Sequence, residues 1–219
     1  LQPMRGTAHD KFWNSEYGQK QKTERDHIYF GTVLEHILLQ NLCAFYDVGE
    51  HNEMRLHGAD WNDALDMAWE KGESVAFTCA YAGNLRNIAK TLRQLEEISG
   101  SSKIEIAHEM EDLLAGSVEL YEDAARKQAL LAGYAKKCEH NISGDTIVVR
   151  LDQLAANLEG KADWMMKNIR ANEWVKDGED GWFNGYYDNH GRKVEGVMDE
   201  SVRMMLTGQV FAIMSGTAT

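Results

Sequence analysis

Residues 58–66 read GADWNDALD. This stretch gathers Asp60, Trp61, Asn62, Asp63 and Asp66. A sugar ring has an apolar face and a rim of hydroxyls. Tryptophan can stack on the face while Asn or Asp side chains fix the hydroxyls. Cleaving a glycosidic bond needs a proton on the departing oxygen, which a carboxylic acid can give. The same residues also make a well-capped helix start. Asp60 is a good N-cap, Asp63 falls at N3 where the helix dipole favours a carboxylate, Asp66 and Glu70 continue an exposed face, and Trp61 is a packed aromatic. The readings conflict over one proton: a helix N-terminus favours ionised Asp63, whereas a general acid must stay protonated near neutrality. Neighbouring acids and burial act in the opposite direction to the dipole. Spacing leaves both readings open.

Other chemistry-bearing residues carry less. Glu73 is a candidate second carboxylate, but a Glu in the first turn of a helix is also what the dipole favours. His36 sits beside an apolar stripe, and His51 and His57 are six apart, a spacing without helical metal logic. No GxGxxG or Gly-Lys-Ser/Thr loop occurs, and no local Ser-His-Asp or Cys-His arrangement is seen. Neither a metal nor an organic cofactor is expected. Trp182, Phe183, Tyr186 and Tyr187 could line a sugar cleft, though alternation along a strand lets only half of them face it.

The elements that must hold these residues are mostly helical by pattern. Pro3 is the only proline in 219 residues, so helices meet few breakers. Residues 1–28 read as a loop. Phe30, Val33, Leu34, Ile37, Leu38, Leu42 and Phe45 follow the 3.6-residue period, predicting a helix over 29–46. A loop over 47–60 leads to a helix near Trp61, then to one over 73–97. Ile104 to His140 reads as a long helical stretch broken near Gly116, Thr146–Val149 as a possible strand, and Leu151–Ile169 again as helix. The segment DGEDGWFNGYYDNHGRKVEG, 177–196, has the Gly, Asn and Asp content of a hairpin, with a strand over Trp182–Tyr187, a DNHG turn and a return over Arg192–Glu195. A last helix spans 201–214. Helices in sequence with almost no strand predict an all-α architecture, read as one domain over 1–219.

Composition excludes several classes. Net charge is −12, against the basic face that phosphate backbones require, so nucleic-acid binding is not expected. No apolar run approaches the ~20 residues of a membrane span. Cys43, Cys79 and Cys138 are too few and too far apart for a disulfide framework or zinc site, and suit a reducing cytoplasm. The chain begins with Leu1 and stops after an apolar run, so a piece of a longer protein is expected, with the remainder of its own polypeptide as a partner. A second copy of the chain is a further candidate partner.

LHGADWNDALDMA followed by KGESVAFTCAYAGNL resembles the acid-bearing segment of the inverting glycoside phosphorylases, the cellobiose, chitobiose and β-oligoglucan phosphorylases. That family carries a G-x-DWNDG-like motif and then a GESV stretch opening a helix. Here these are Gly58-Ala59-Asp60-Trp61-Asn62-Asp63 and Gly72-Glu73-Ser74-Val75. Colinear likenesses are Thr32-Val33-Leu34-Glu35-His36, DGWFNGYYDNHGRKVEG, and RMMLTGQVFAIMSG from Arg203 to Gly216. Ala64 stands where the family has glycine, and with Ala59 inclines the motif toward the longer β-glucan phosphorylases. The resemblance implies an (α/α)6 toroid with one small hairpin near 181–196. It implies inverting phosphorolysis of β-linked gluco-oligosaccharides, with inorganic phosphate as co-substrate. It also implies Asp63 as general acid, and Trp61, Asp60, Asn62 and Glu73 as substrate contacts. Phosphate is already an anion, so one acid suffices where an inverting hydrolase needs a second carboxylate about 6.5–9.5 Å away. The family's upstream Arg–Asp motif and downstream phosphate-binding His and Thr-Gly are not found, which implies a central slice carrying the acid without the phosphate cradle. The alternatives are an inverting hydrolase on the same toroid and a helical interaction module inactive alone.

Overall fold

The computed structural model describes residues 20–57, 63–198 and 201–218, with the backbone alone for 63–65. Three helices make its frame. Helix α1 spans Val33–Tyr46, with Thr32 Oγ1 accepting from Glu35 N at 3.0 Å as its N-cap. It starts four residues later than the apolar period predicts. Phe30 lies ahead of it, and both Phe30 and Val33 are exposed. Helix α2, Val75–Ser99, is capped by Ser74 Oγ on Phe77 N and ends at Gly100 in the left-handed region, where glycine is favoured. Helix α5, Leu151–Asn172, lies antiparallel to α2, and the ion pairs Arg86–Asp163 and Arg93–Glu159 run in opposite directions along the two. Leu85, Ala89 and Leu92 of α2 meet Leu154, Leu158, Ala162 and Met165 of α5 in the main core, with Leu38, Leu42 and Phe45 of α1. Helix α6, Leu206–Ser215, packs closely on α2: a Cβ on Gly83 would touch Ser215.

The all-α toroid expected from the sequence is corrected here. Among the described residues 53% are helical and 20% are in strands, and the architecture is mixed α/β with several small sheets. The 104–140 stretch is where the helical reading departs furthest. Lys103–Ala107 is strand β4, pairing antiparallel with Thr146–Arg150, strand β6, from Lys103↔Arg150 to Ala107↔Thr146. Ile104 and Ile106 alternate with Lys103 and Glu105, and the β-branched Thr146, Ile147, Val148 and Val149 supply the partner. A 3-10 segment, His108–Leu114, and helices α3, Val118–Glu122, and α4, Ala124–Lys137, follow.

The small strands pin loops. Strands β1, Lys22–Thr23, and β5, Asn141–Ile142, pair in parallel. Strand β3, Glu73–Ser74, is the middle of a three-stranded sheet, between β2, Met54–Arg55, and β9, Tyr186–Tyr187. The hairpin expected within 181–196 is distributed differently. β7, Trp174–Asp177, pairs with β8, Asp180–Phe183, while Tyr186 and Tyr187 leave to join β3. The DNHG turn folds back on them, with Val194 N donating to Tyr186 O and Asp188 N to Arg192 O. Strand β10, Gly196–Met198, pairs with β11, Ser201–Arg203, which occupies the start of the expected last helix.

Ser74→Ala removes the cap of α2 and is expected to cost about 1 kcal/mol of stability. A denaturant midpoint unchanged from wild type would contradict the assigned cap.

Candidate functional site

The residues flanking the GADWND segment in sequence form a defined neck. Asp47, the C-cap of α1, accepts from Arg55 Nε at 2.6 Å and lies 2.6 Å from His57 Nε2, so the residue before Gly58 is held by a carboxylate that also binds Arg55. Leu56 N donates to Gly72 O at 3.0 Å and closes the neck from the other strand. Asp63–Ala68 forms a 3-10 segment, after which Gly72 N returns to Ala68 O. A Cβ at Gly72 would collide with the Ala68 carbonyl and side chain, so this return requires glycine.

A second clamp comes from the DNHG turn. Asn189 Oδ1 accepts from both Glu70 N and Lys71 N, at 2.8 and 2.9 Å, while Asn189 N donates to Met67 O at 2.8 Å. One side chain 119 positions away in sequence thus fixes the turn that follows the 3-10 segment. Asp188 shapes its own turn, accepting from His190 N, Arg192 N and Arg192 Nε. Burial is the largest single influence on its carboxyl and pushes it up, but these bonds and the Arg192 charge together outweigh it and hold the carboxyl below the usual value.

Of the residues nominated from sequence, Asp60, Trp61 and Asn62 lie outside the described residues, and Asp63 is described through its backbone at the start of the 3-10 segment. Glu73 lies beneath the neck, in β3 and not in the first helical turn. Its buried carboxylate accepts from His51 N and Glu53 N at 3.1–3.2 Å, and His51 Nδ1 lies 2.8 Å from Oε1. The carboxylate packs against Gly49, where a Cβ would overlap it. The His51 ring stacks on Tyr187 at 3.7 Å and 11°. Trp182, Phe183, Tyr186 and Tyr187 are all buried, so core packing takes all four.

Below this lies a set of buried ionisable side chains that sequence reading missed. Tyr187 Oη donates to Glu173, whose carboxylate also receives Asn184 Nδ2 at 3.1 Å and lies 3.4 Å from Lys193 Nζ. Glu53 receives Asn168 Nδ2 at 3.2 Å. Burial, reinforced by the Glu173 charge, pushes the Glu53 carboxyl well up, which favours its protonated form. Lys127 Nζ donates to Asn52 Oδ1 and lies 4.2 Å from the Phe45 ring centre. Lys161 Nζ donates to Ala115 O and Asn157 Oδ1. Burial lowers each amine from 10.5 to about 7. The signal for Lys161 was its place on the Leu154–Leu158–Met165 stripe. Among the described residues no group of three or more His, Cys, Asp or Glu side chains could hold a metal ion, and no helix is long and apolar enough to cross a membrane.

No protein-family model matches the chain. A solabiose phosphorylase of Paenibacillus borealis is 26% identical over 190 residues, covering 86% of this chain and 17% of that protein's length. The chain therefore spans well under a fifth of the curated relative it matches. That relative is a glycoside phosphorylase, so the similarity supports the glycoside phosphorylase kind as a class.

Two outcomes follow from the geometry. Asn189→Ala leaves Glu70 N and Lys71 N without their acceptor and is expected to cost about 1 kcal/mol locally. Amide exchange at residues 67–72 should rise several-fold, and unchanged exchange there would contradict the clamp. Lys161 is disfavoured as a cation when folded. Between pH 7 and 10 the unfolded chain therefore holds a proton that the folded chain does not, and stability gains from this group as pH rises through that window. Lys161→Met should flatten the wild-type rise in chemical-denaturation midpoint over this range. A difference between the two proteins that is independent of pH would contradict the assignment.

Proposed function

We propose that the protein to which this chain belongs cleaves β-linked glucosides with inorganic phosphate, inverting the anomeric carbon, with Asp63 as proton donor. The supporting observation is that the residues flanking the DWND segment in sequence are tied together, Leu56 to Gly72 and residues 67–71 to Asn189, in a chain similar to a solabiose phosphorylase. A phosphate oxygen forms the new bond to the anomeric carbon as the bond to the leaving oxygen breaks. Asp63 delivers a proton to that oxygen. The proton is made good from the phosphate, so the net change moves one proton from phosphate to the departing sugar. Trp61 stacks on the sugar, and Asp60 and Asn62 contact its hydroxyls.

Glu73 serves this reading from beneath, holding His51 and the 49–53 turn in place. The phosphate-binding residues belong to the remainder of the polypeptide. A cytoplasmic setting agrees with three free cysteines.

The test uses the complete protein with phosphate and a panel of β-linked disaccharides and oligomers, solabiose included, with sugar 1-phosphate as the readout. Asp63→Asn should lower turnover by at least 10³-fold while leaving the fold intact. Parental rates in that variant would show that the proton comes from elsewhere.

A further inference from the structure

We propose that the outward face of α6 is an interior packing surface, covered by an apolar segment of the same polypeptide that lies outside residues 1–219. Helix α6, LTGQVFAIMS, carries no charged side chain. Its exposed residues are all apolar: Leu206 is 72% exposed, Val210 39%, Ile213 68% and Met214 75%. Their spacing puts them on one stripe of the helix. A helix that faces water carries polar side chains on its outer stripe, and one that is apolar all round belongs in an interior. Ten residues are about half of what a membrane span needs, so that interior is protein.

The stripe is not free to turn inward, because the opposite side of α6 is already committed. A Cβ on Gly208 would lie 3.1 Å from the Gly185 backbone, and one on Gly83 of α2 would lie 3.1 Å from Ser215. Gln209 clasps both main-chain groups of Phe183, accepting from its N at 3.0 Å and donating to its O at 2.7 Å. Ala212 is buried in a cluster with Val75 and Phe183. Just beyond the helix, Arg170 donates to the carbonyls of Gly216 and Thr217. Rolling α6 to hide Ile213 and Met214 breaks these contacts, so the stripe is hidden only by something brought to it.

Length and charge favour the chain's own polypeptide over a second copy. The aligned residues make up 17% of the phosphorylase that this chain matches, so most of a polypeptide of that kind lies outside them. A second copy, in contrast, brings another net charge of −12 to a contact whose helix offers no cation, and the two copies repel. A helix of ten residues is also only about 15 Å long, short of the ~800 Å² per partner on which a stable dimer is built. A segment of the same polypeptide needs less contact, because covalent connection already sets its effective concentration near the millimolar range.

The first test uses the complete protein without substitution. Hydrogen peroxide converts an accessible methionine to its sulfoxide, and peptide mass mapping reads the rate at Met214. Native protein should oxidise Met214 at least tenfold more slowly than denatured protein, and dilution should not change that ratio. Photoreactive p-benzoylphenylalanine in place of Ile213 should then crosslink, within one polypeptide, to a peptide from outside residues 1–219. Should that variant not fold, the same amino acid in place of Leu206 serves. Oxidation of Met214 at the denatured rate would overturn the proposal, and so would protection lost on dilution, which marks a second copy. A crosslink that is absent, reaches a second copy or stays within residues 1–219 overturns it as well. Release of sugar 1-phosphate is assayed separately on the wild type, so this proposal and the phosphorylase reading can fail independently.

Discussion

The Glu73 carboxylate is buried at the centre of the region, and the surrounding chain is built around satisfying it. A carboxylate out of water is tolerable only when donors surround it. Here the 49–53 turn supplies two backbone N–H groups and the His51 ring. Glu73 also pairs in β3 with Arg55 on one side and Tyr187 on the other, and the next residue, Ser74, caps α2. One short strand therefore joins the exit of α1, the aromatic strand β9 and the start of the longest helix. The described residues on either side of the DWND segment, Leu56 and Gly72, meet next to this junction.

Beneath the junction the interior holds several ionisable side chains. Glu53, Glu73 and Glu173 are buried, and so are Lys127 and Lys161. Burial pushes the Glu53 carboxyl up and both amines down, each toward its neutral form. The aromatic rings of Phe45, Tyr46, Tyr121 and Trp164 enclose the amines and stabilise whatever positive charge remains. Such an arrangement discriminates strongly among packings, because any shift that strands one of these groups without its partner is costly.

Helices α2 and α5 were legible because their apolar faces hold the 3.6-residue period over 25 and 22 residues. Strand β6 was legible from its run of β-branched residues. Strand β4 was not: Ile104 and Ile106 are compatible with either period over five residues, and only pairing with β6 decides between them. The aromatic segment had the turn chemistry of a hairpin. Yet Tyr186 and Tyr187 pair with a strand more than 110 positions upstream, which no local pattern encodes. Asn189 reads as an ordinary turn residue, because its acceptor oxygen serves amides far away in sequence. The DWND segment drew attention through composition alone. Its chemical role rests on likeness to phosphorylases, since spacing served a capped helix start equally well.

The most direct measurement is a crystal structure of the complete protein holding a β-linked disaccharide and a phosphate mimic. The account predicts an Asp63 carboxylate oxygen within about 2.6–3.2 Å of the glycosidic oxygen, with the Trp61 ring against a sugar face. Asp63 bonded only to main-chain amides of its own turn, with the sugar bound elsewhere, would contradict it.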